Sequence, residues 1–198
     1  MKYEFTGQSR TVNGVTVRQI KRISDGLVGG WIESEKNLSQ KGKCFVYGNA
    51  VVFGYAWVTG NAWVFDNAMV FGNASVYGDA LVFDNALVSG YASVSDNAKV
   101  YGNAKVYGNA EVYGNAVVYG DAKVFGYAWV YDNAKVFGNA WVYDNAKVFD
   151  NASVYGDALV FGNASVSGNA SVSDNAVVFG NALVSGNAVI YRNDVITD

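Results

Sequence analysis

The sequence predicts an all-β fold, a parallel β-helix solenoid wound from six-residue repeats, and three observations predict it. Val stands at every sixth position from Val46 to Val184, and Ile190 and Ile196 continue the series, which makes 26 repeats. Ala stands four residues after each of these valines, from Ala50 to Ala188. Between them lies a Gly or Asp followed in most repeats by Asn, and no residue is inserted or deleted anywhere in the series.

Each observation has a physical reading. Six residues do not return a helix to one stable face, whereas strand alternation puts Ala and Val of an Ala-x-Val run on one side and x on the other. A Gly or Asp with Asn in every repeat would break a helix again and again. The same pair turns a strand cheaply, because Gly, Asn and Asp tolerate left-handed backbone angles. Each repeat is therefore one short strand and one corner, with a small apolar Val/Ala interior.

The elements follow in order along the chain. Residues 1–45 are read as an N-terminal β cap and 46–198 as the hexapeptide-repeat β-helix. In the cap, Thr11–Ile20 alternates around Asn13-Gly14, the signature of a β-hairpin. Gly29-Gly30-Trp31-Ile32 and Asn37-Leu38-Ser39 lead into Cys44-Phe45-Val46. A solenoid needs such a cap, since an end coil exposes core and unpaired strand edge. At the other end, Arg192 and Asp194 interrupt the pattern as a minimal polar stop.

The stretch GGWIESEKNLSQKGKCFVYGNAVVFGYAWV resembles the N-terminal signature of a family of bacterial and phage hexapeptide-repeat proteins that are often labelled transferase-like. In that family a Gly-Gly-Trp and an Asn-Leu-Ser stretch precede GNA-type repeats. The resemblance implies a left-handed parallel β-helix with three strands to a triangular coil of about 18 residues, so 26 repeats give nearly nine coils and a rod roughly 40 Å long at the usual strand spacing; for a homo-oligomer it favours a trimer. A bacterial or phage-infected cytoplasm is the expected location. A single Cys and no signal-like N-terminal segment agree with that location, and no run is apolar enough for a membrane helix.

Composition bears on function by exclusion. Residues 1–45 hold eight Lys/Arg against four Asp/Glu, and 46–198 hold six against thirteen, so the repeat body is acidic and nucleic acid is disfavoured as a partner. Acyltransferases of the resembled fold use a His base and an extruded loop, and this chain has no His and no insertion. Cys44, the one thiol, reads as a small buried hydrophobe. Asp79, Asp121 and Asp157 stand where Asn usually stands at corners and read as turn residues. No catalytic residue, cofactor or metal site is expected.

Only outward positions are free to specify a partner. The residue after each Val is aromatic in 19 of 26 repeats, and residues 18 apart share a corner, so rings either stack into a ladder or form a docking stripe. At x, the start is apolar (Val51, Trp57, Trp63, Met69), the middle charged (Lys99 to Lys147), and the end apolar again (Val177, Leu183, Val189, Val195). Tyr55, Tyr91 and Tyr127 replace the corner Asn at intervals of two coils, and Trp57 and Trp129 lie four coils apart on one face. Internal duplication is visible as well, because NASVYGDALVF starts at both Asn73 and Asn151. The candidate interaction surface is therefore Tyr55, Trp57, Trp63, Tyr91, Tyr127, Trp129, Trp141, Val177, Leu183 and Val189. The expected function is a non-enzymatic, rod-shaped scaffold or partner-binding protein, with a host protein or a glycan as candidate ligand. The alternatives are a vestigial or substrate-binding acyltransferase relative, a phage-encoded inhibitor or mimic, and a glycan-binding module.

Overall fold

The computed structural model describes residues 1–197. Its hexads stack into three parallel sheets, each strand pairing with the strand one coil further on. Leu81 pairs with Trp63 below and Lys99 above, Leu87 with Met69 and Lys105, and Ser93 with Ser75 and Glu111, all at a register of 18 residues. The coil is thus three-sided with about 18 residues per turn. Face I carries the x residues from Val51 to Val195, face II those from Trp57 to Leu183, and face III those from Phe45 to Val189.

The Val and Ala positions make the interior. From Val46 to Val178 every hexad Val is fully buried, and the hexad Ala are buried with them in one continuous cluster. These two small residues leave a narrow core in which each coil contacts the one above, as close packing requires. The corners close as expected. Gly102 sits at φ 71°, and Asp84 reaches φ 57° at the same corner position. Asp is tolerated there for a second reason, because its Oδ2 accepts a hydrogen bond from Gly102 N–H of the next coil at 3.0 Å. Asp96, Asp144 and Asp150 accept in the same way.

Corner Asn residues form amide ladders. Along the edge between faces III and I, Asn49 donates to Asn67, Asn67 to Asn85, Asn85 to Asn103 and Asn103 to Asp121. The chain of bonds stops there because a carboxylate accepts but cannot donate onward. Rings stack alongside. One column runs Phe65, Phe83, Tyr101, Tyr119, Phe137 and Tyr155, with centroids 4.7–5.1 Å apart and near-parallel planes. Tyr47, one coil below Phe65, does not join this column and instead meets Phe45 and Trp63 edge-on. Ser173 ends it, and Ser89 and Ser95 interrupt the other two columns, all three buried between flanking rings.

The N-terminal segment is a hairpin, β1 (Tyr3–Val12) and β2 (Val15–Arg22), turned at Asn13 (φ 50°) and Gly14 (φ 78°). Next comes β3 (Val28–Ile32), antiparallel to β2 and parallel to the strand Val51–Val52. The coil ladders therefore reach below Val46. Ile32 faces Val52, Leu38 bridges to Val58, and Phe45-Val46 pairs with Trp63-Val64. Ile32 and Leu38 are six apart, but Leu38 and Val46 are eight apart, so this first coil is a hexad coil with two extra residues. Cys44 takes the place of a hexad Ala and is fully buried. Among the described residues no helix is long and apolar enough to cross a membrane.

Candidate functional site

The outward residues divide unevenly among three faces. The edge between faces I and II carries, coil by coil, Tyr55, Asn73, Tyr91, Asn109 and Tyr127. Face II beside it carries Trp57, Ser75, Ser93, Glu111 and Trp129. The structure brings together five of the predicted residues here: Tyr55, Trp57, Tyr91, Tyr127 and Trp129. Leu183 lies on the same face, three coils beyond Trp129. Trp141 and Val177 lie on face I, and Trp63 and Val189 on face III, so these do not join the group.

The three edge tyrosines differ from the stacked rings of the rod. Tyr55 is 85 % exposed, Tyr91 68 % and Tyr127 63 %, and none makes a ring contact or side-chain hydrogen bond among the described residues. The column tyrosines behave oppositely: Tyr113 stacks on Tyr131 at 4.9 Å, and partial burial pushes both phenol pKa values up. Edge tyrosines also displace ladder amides. Among the described residues, Asn73 and Asn109, each between two tyrosines, form no side-chain hydrogen bond, whereas Asn145 donates to Asn163 once the tyrosines end. The edge therefore gives up ladder bonds and gains no ring packing in exchange.

The start of this edge is held from below. Asn37, fully buried, accepts from Ser34 N–H at 2.8 Å through Oδ1 and donates through Nδ2 to Gly54 O and Ala56 O, both at 2.9 Å. Those two carbonyls bracket Tyr55. Glu33 Oε2 accepts from Gly54 N–H at 2.7 Å. The Gly-Gly-Trp stretch lies in the same coil, where a Cβ on Gly30 would sit 2.7 Å from Ala50 O and from Val46 Cγ1. Gly30 and Asn37 are thus residues that let the first coil seat on the second. A cleft of about 640 Å³ opens here, lined by Glu33, Ser34, Lys36, Gly54, Tyr55 and Trp57. At the other end of the group, Lys147 Nζ lies 4.8 Å from the Trp129 ring centre, a cation–π contact.

Trp63 and Trp141 occupy a second arrangement, present twice. Asn61 donates to Asp79 at 2.9 Å beside Trp63 and Leu81, and Asn139 donates to Asp157 at 2.9 Å beside Trp141 and Leu159. Lys123 Nζ lies 4.1 Å from the Trp141 ring centre. Residues 61–82 and 139–160 are identical at 19 of 22 positions, which extends the shorter duplication noted above. The offset of 78 residues is thirteen hexads, not a whole number of coils, so the copy lands on the neighbouring face. Sequence inspection could have found this by aligning the chain to itself at offsets outside multiples of 18. Among the described residues no group of three or more His, Cys, Asp or Glu is placed to hold a metal ion.

No curated protein matches the chain. The model of the YdcK beta solenoid repeat matches residues 45–60, 104–120 and 178–192, well under half of the length and confined to regular coils. The coils of this chain are similar to the YdcK beta solenoid repeat.

Proposed function

We propose that this chain is a non-enzymatic binding protein, a stiff rod whose ligand lies along face II and the edge it shares with face I. One observation carries the reading: at Tyr55, Tyr91 and Tyr127 the repeat replaces a ladder-forming Asn with an exposed ring that, among the described residues, makes no ring contact and no side-chain hydrogen bond. A residue that gives up the edge bonds and makes neither of these contacts within the chain is explained by contact with something outside it. Trp57, 49 % exposed, and Trp129, 36 % exposed, widen the same surface.

The test is a variant with Tyr55→Asn, Tyr91→Asn and Tyr127→Asn, which restores the repeat. Native and variant rods are immobilised side by side and exposed to total protein and glycan fractions. A species held by the native rod and released by the variant supports the reading; equal retention by both overturns it. The acyltransferase-like alternative predicts a thermal shift with acyl-CoA or a nucleotide-sugar.

A second reading, self-association, is favoured by the outward apolar residues Leu183 (77 % exposed), Val189 (61 %) and Val195 (60 %). They stand on faces II, III and I, one on each side of the rod, and so ring its C-terminal end. Light scattering after gel filtration measures the mass directly: a trimer supports this reading, and the mass of one chain rules it out.

A further inference from the structure

Resting on the binding reading above, we infer that the ligand is a β-1,4-linked hexose polymer, laid parallel to the rod axis along the tyrosine edge and face II. The argument is one of period and chemistry. Going up the rod, successive coils present aromatic, polar, aromatic, polar and aromatic groups: Tyr55 with Trp57, Asn73 with Ser75, Tyr91, Asn109 with Glu111, then Tyr127 with Trp129. Like groups recur every two coils, about 9.6 Å at the usual spacing of stacked strands.

A β-1,4-linked hexose chain has the same alternation. Each sugar is flipped by a half turn relative to the last, so a given ring face recurs at every second residue, at nearly the spacing of two coils. One sugar of each pair would lay its C–H face on a tyrosine ring, and the equatorial hydroxyls at the edge of the next would lie beside the polar groups of the coil between. The groups waiting there are suited to hydroxyls. The Asn73 and Asn109 amides are exposed and have no ladder partner, so each offers both donors and an acceptor. Ser75 and Glu111 stand beside them on face II. Exposed Tyr and Trp rings are apolar on the face and polar at the tip, which suits a ligand with the same mixed character. The acidic rod and the single Lys on this stretch of face II, Lys147, do not suit a polyanion.

The experiment is co-sedimentation of the full chain with insoluble chitin, cellulose and peptidoglycan, which share the linkage, and with an α-linked glucan as control. Soluble chito- and cello-oligosaccharides of increasing length are titrated in parallel by tryptophan fluorescence. The expected result is retention on at least one β-1,4 polymer and not on the α-glucan, with affinity rising with length until two tyrosines are spanned. Tyr91→Asn, which restores a ladder residue and so keeps the fold, is expected to weaken binding by about tenfold, equivalent to about 1.4 kcal/mol. Equal retention on the α-glucan, or binding unaffected by Tyr91→Asn, overturns the inference. Absence of binding to all three polymers also overturns it. If a different species is still lost from the triple Asn variant, the binding reading survives while the saccharide inference falls. A rod whose mass in solution drops on Tyr91→Asn would assign the edge to a second copy of the chain instead.

Discussion

The edge between faces III and I and the edge between faces I and II are made from the same hexad, yet they end in opposite states. On the first, Asn49 to Asp121 form an unbroken run of side-chain bonds across five coils. On the second, over the same coils, Tyr55, Tyr91 and Tyr127 stand out from the surface and, among the described residues, the asparagines between them form no side-chain hydrogen bond. The core beneath is identical Val and Ala in both cases. The difference separates two uses of one position: an Asn there serves the rod, and a Tyr there serves contact with something else.

That separation can be broken or sharpened by substitution. The largest effect is expected at the anchor of the tyrosine edge. Asn37→Ala strands the carbonyls of Gly54 and Ala56 and the N–H of Ser34, and should cost about 3 kcal/mol. Hydrogen exchange should show the loss concentrated in the first coil; uniform loosening along the rod would contradict the local role given to Asn37. Next, Asn85→Tyr places a tyrosine on the intact edge and removes bonds to Asn67 and Asn103. It should destabilise by about 1 kcal/mol in denaturant titration, and a neutral outcome would mean the ladder contributes nothing. Ser89→Phe should stabilise by about 1 kcal/mol by joining Phe71 to Tyr107 in one column; a loss in melting temperature would show that the gap is too narrow for a ring. Tyr91→Asn should raise stability by about 0.5 kcal/mol by linking Asn73 to Asn109, the same change that removes a ligand contact.

A pH measurement sharpens the contrast between stacked and edge rings. Burial raises the pKa values of Tyr101, Tyr107, Tyr113, Tyr131 and Tyr143 above the ordinary 10.0. The unfolded chain therefore loses these phenol protons before the folded chain does. Their contribution to stability is complete below pH 10 and falls as pH rises through the folded values. Ultraviolet titration should show a late-ionising group of tyrosines, and alkaline melting should show stability falling above pH 10. Tyrosines that all ionise together at the ordinary value would contradict the stacked columns.

Much of this was legible in the residues themselves. Val46 to Ile196 at intervals of six, with Ala between, determine strand, corner and interior, because only one alternation puts both small residues inside. The hairpin was legible at Asn13-Gly14, since few pairs other than Asn-Gly accept that turn so readily. The common edge of Tyr55, Tyr91 and Tyr127 followed from arithmetic on 18. The first coil was not legible, because two extra residues between Leu38 and Val46 shift the frame, and Asn37 acts through carbonyls 17 and 19 residues away. Periodicity also could not tell which aromatics pack. Tyr47 and Tyr101 occupy equivalent positions, yet the first turns edge-on because Phe45 and Trp63 crowd it.

The 78-residue offset between the two tryptophan grooves has a consequence for how such a rod can change length. Any insertion or loss of six residues preserves the Val/Ala interior and leaves every coil closed. Only steps of eighteen preserve which side a residue faces. A gain or loss of one hexad rotates everything beyond it by a third of a turn, leaving the interior indifferent and the exterior rearranged. The lineage of such a protein can therefore sample new surfaces by slippage at no cost to the Val/Ala interior. An engineer can do the same: deleting Ser75–Ala80 should leave a well-folded rod whose Tyr55 no longer shares an edge with Tyr91 and Tyr127.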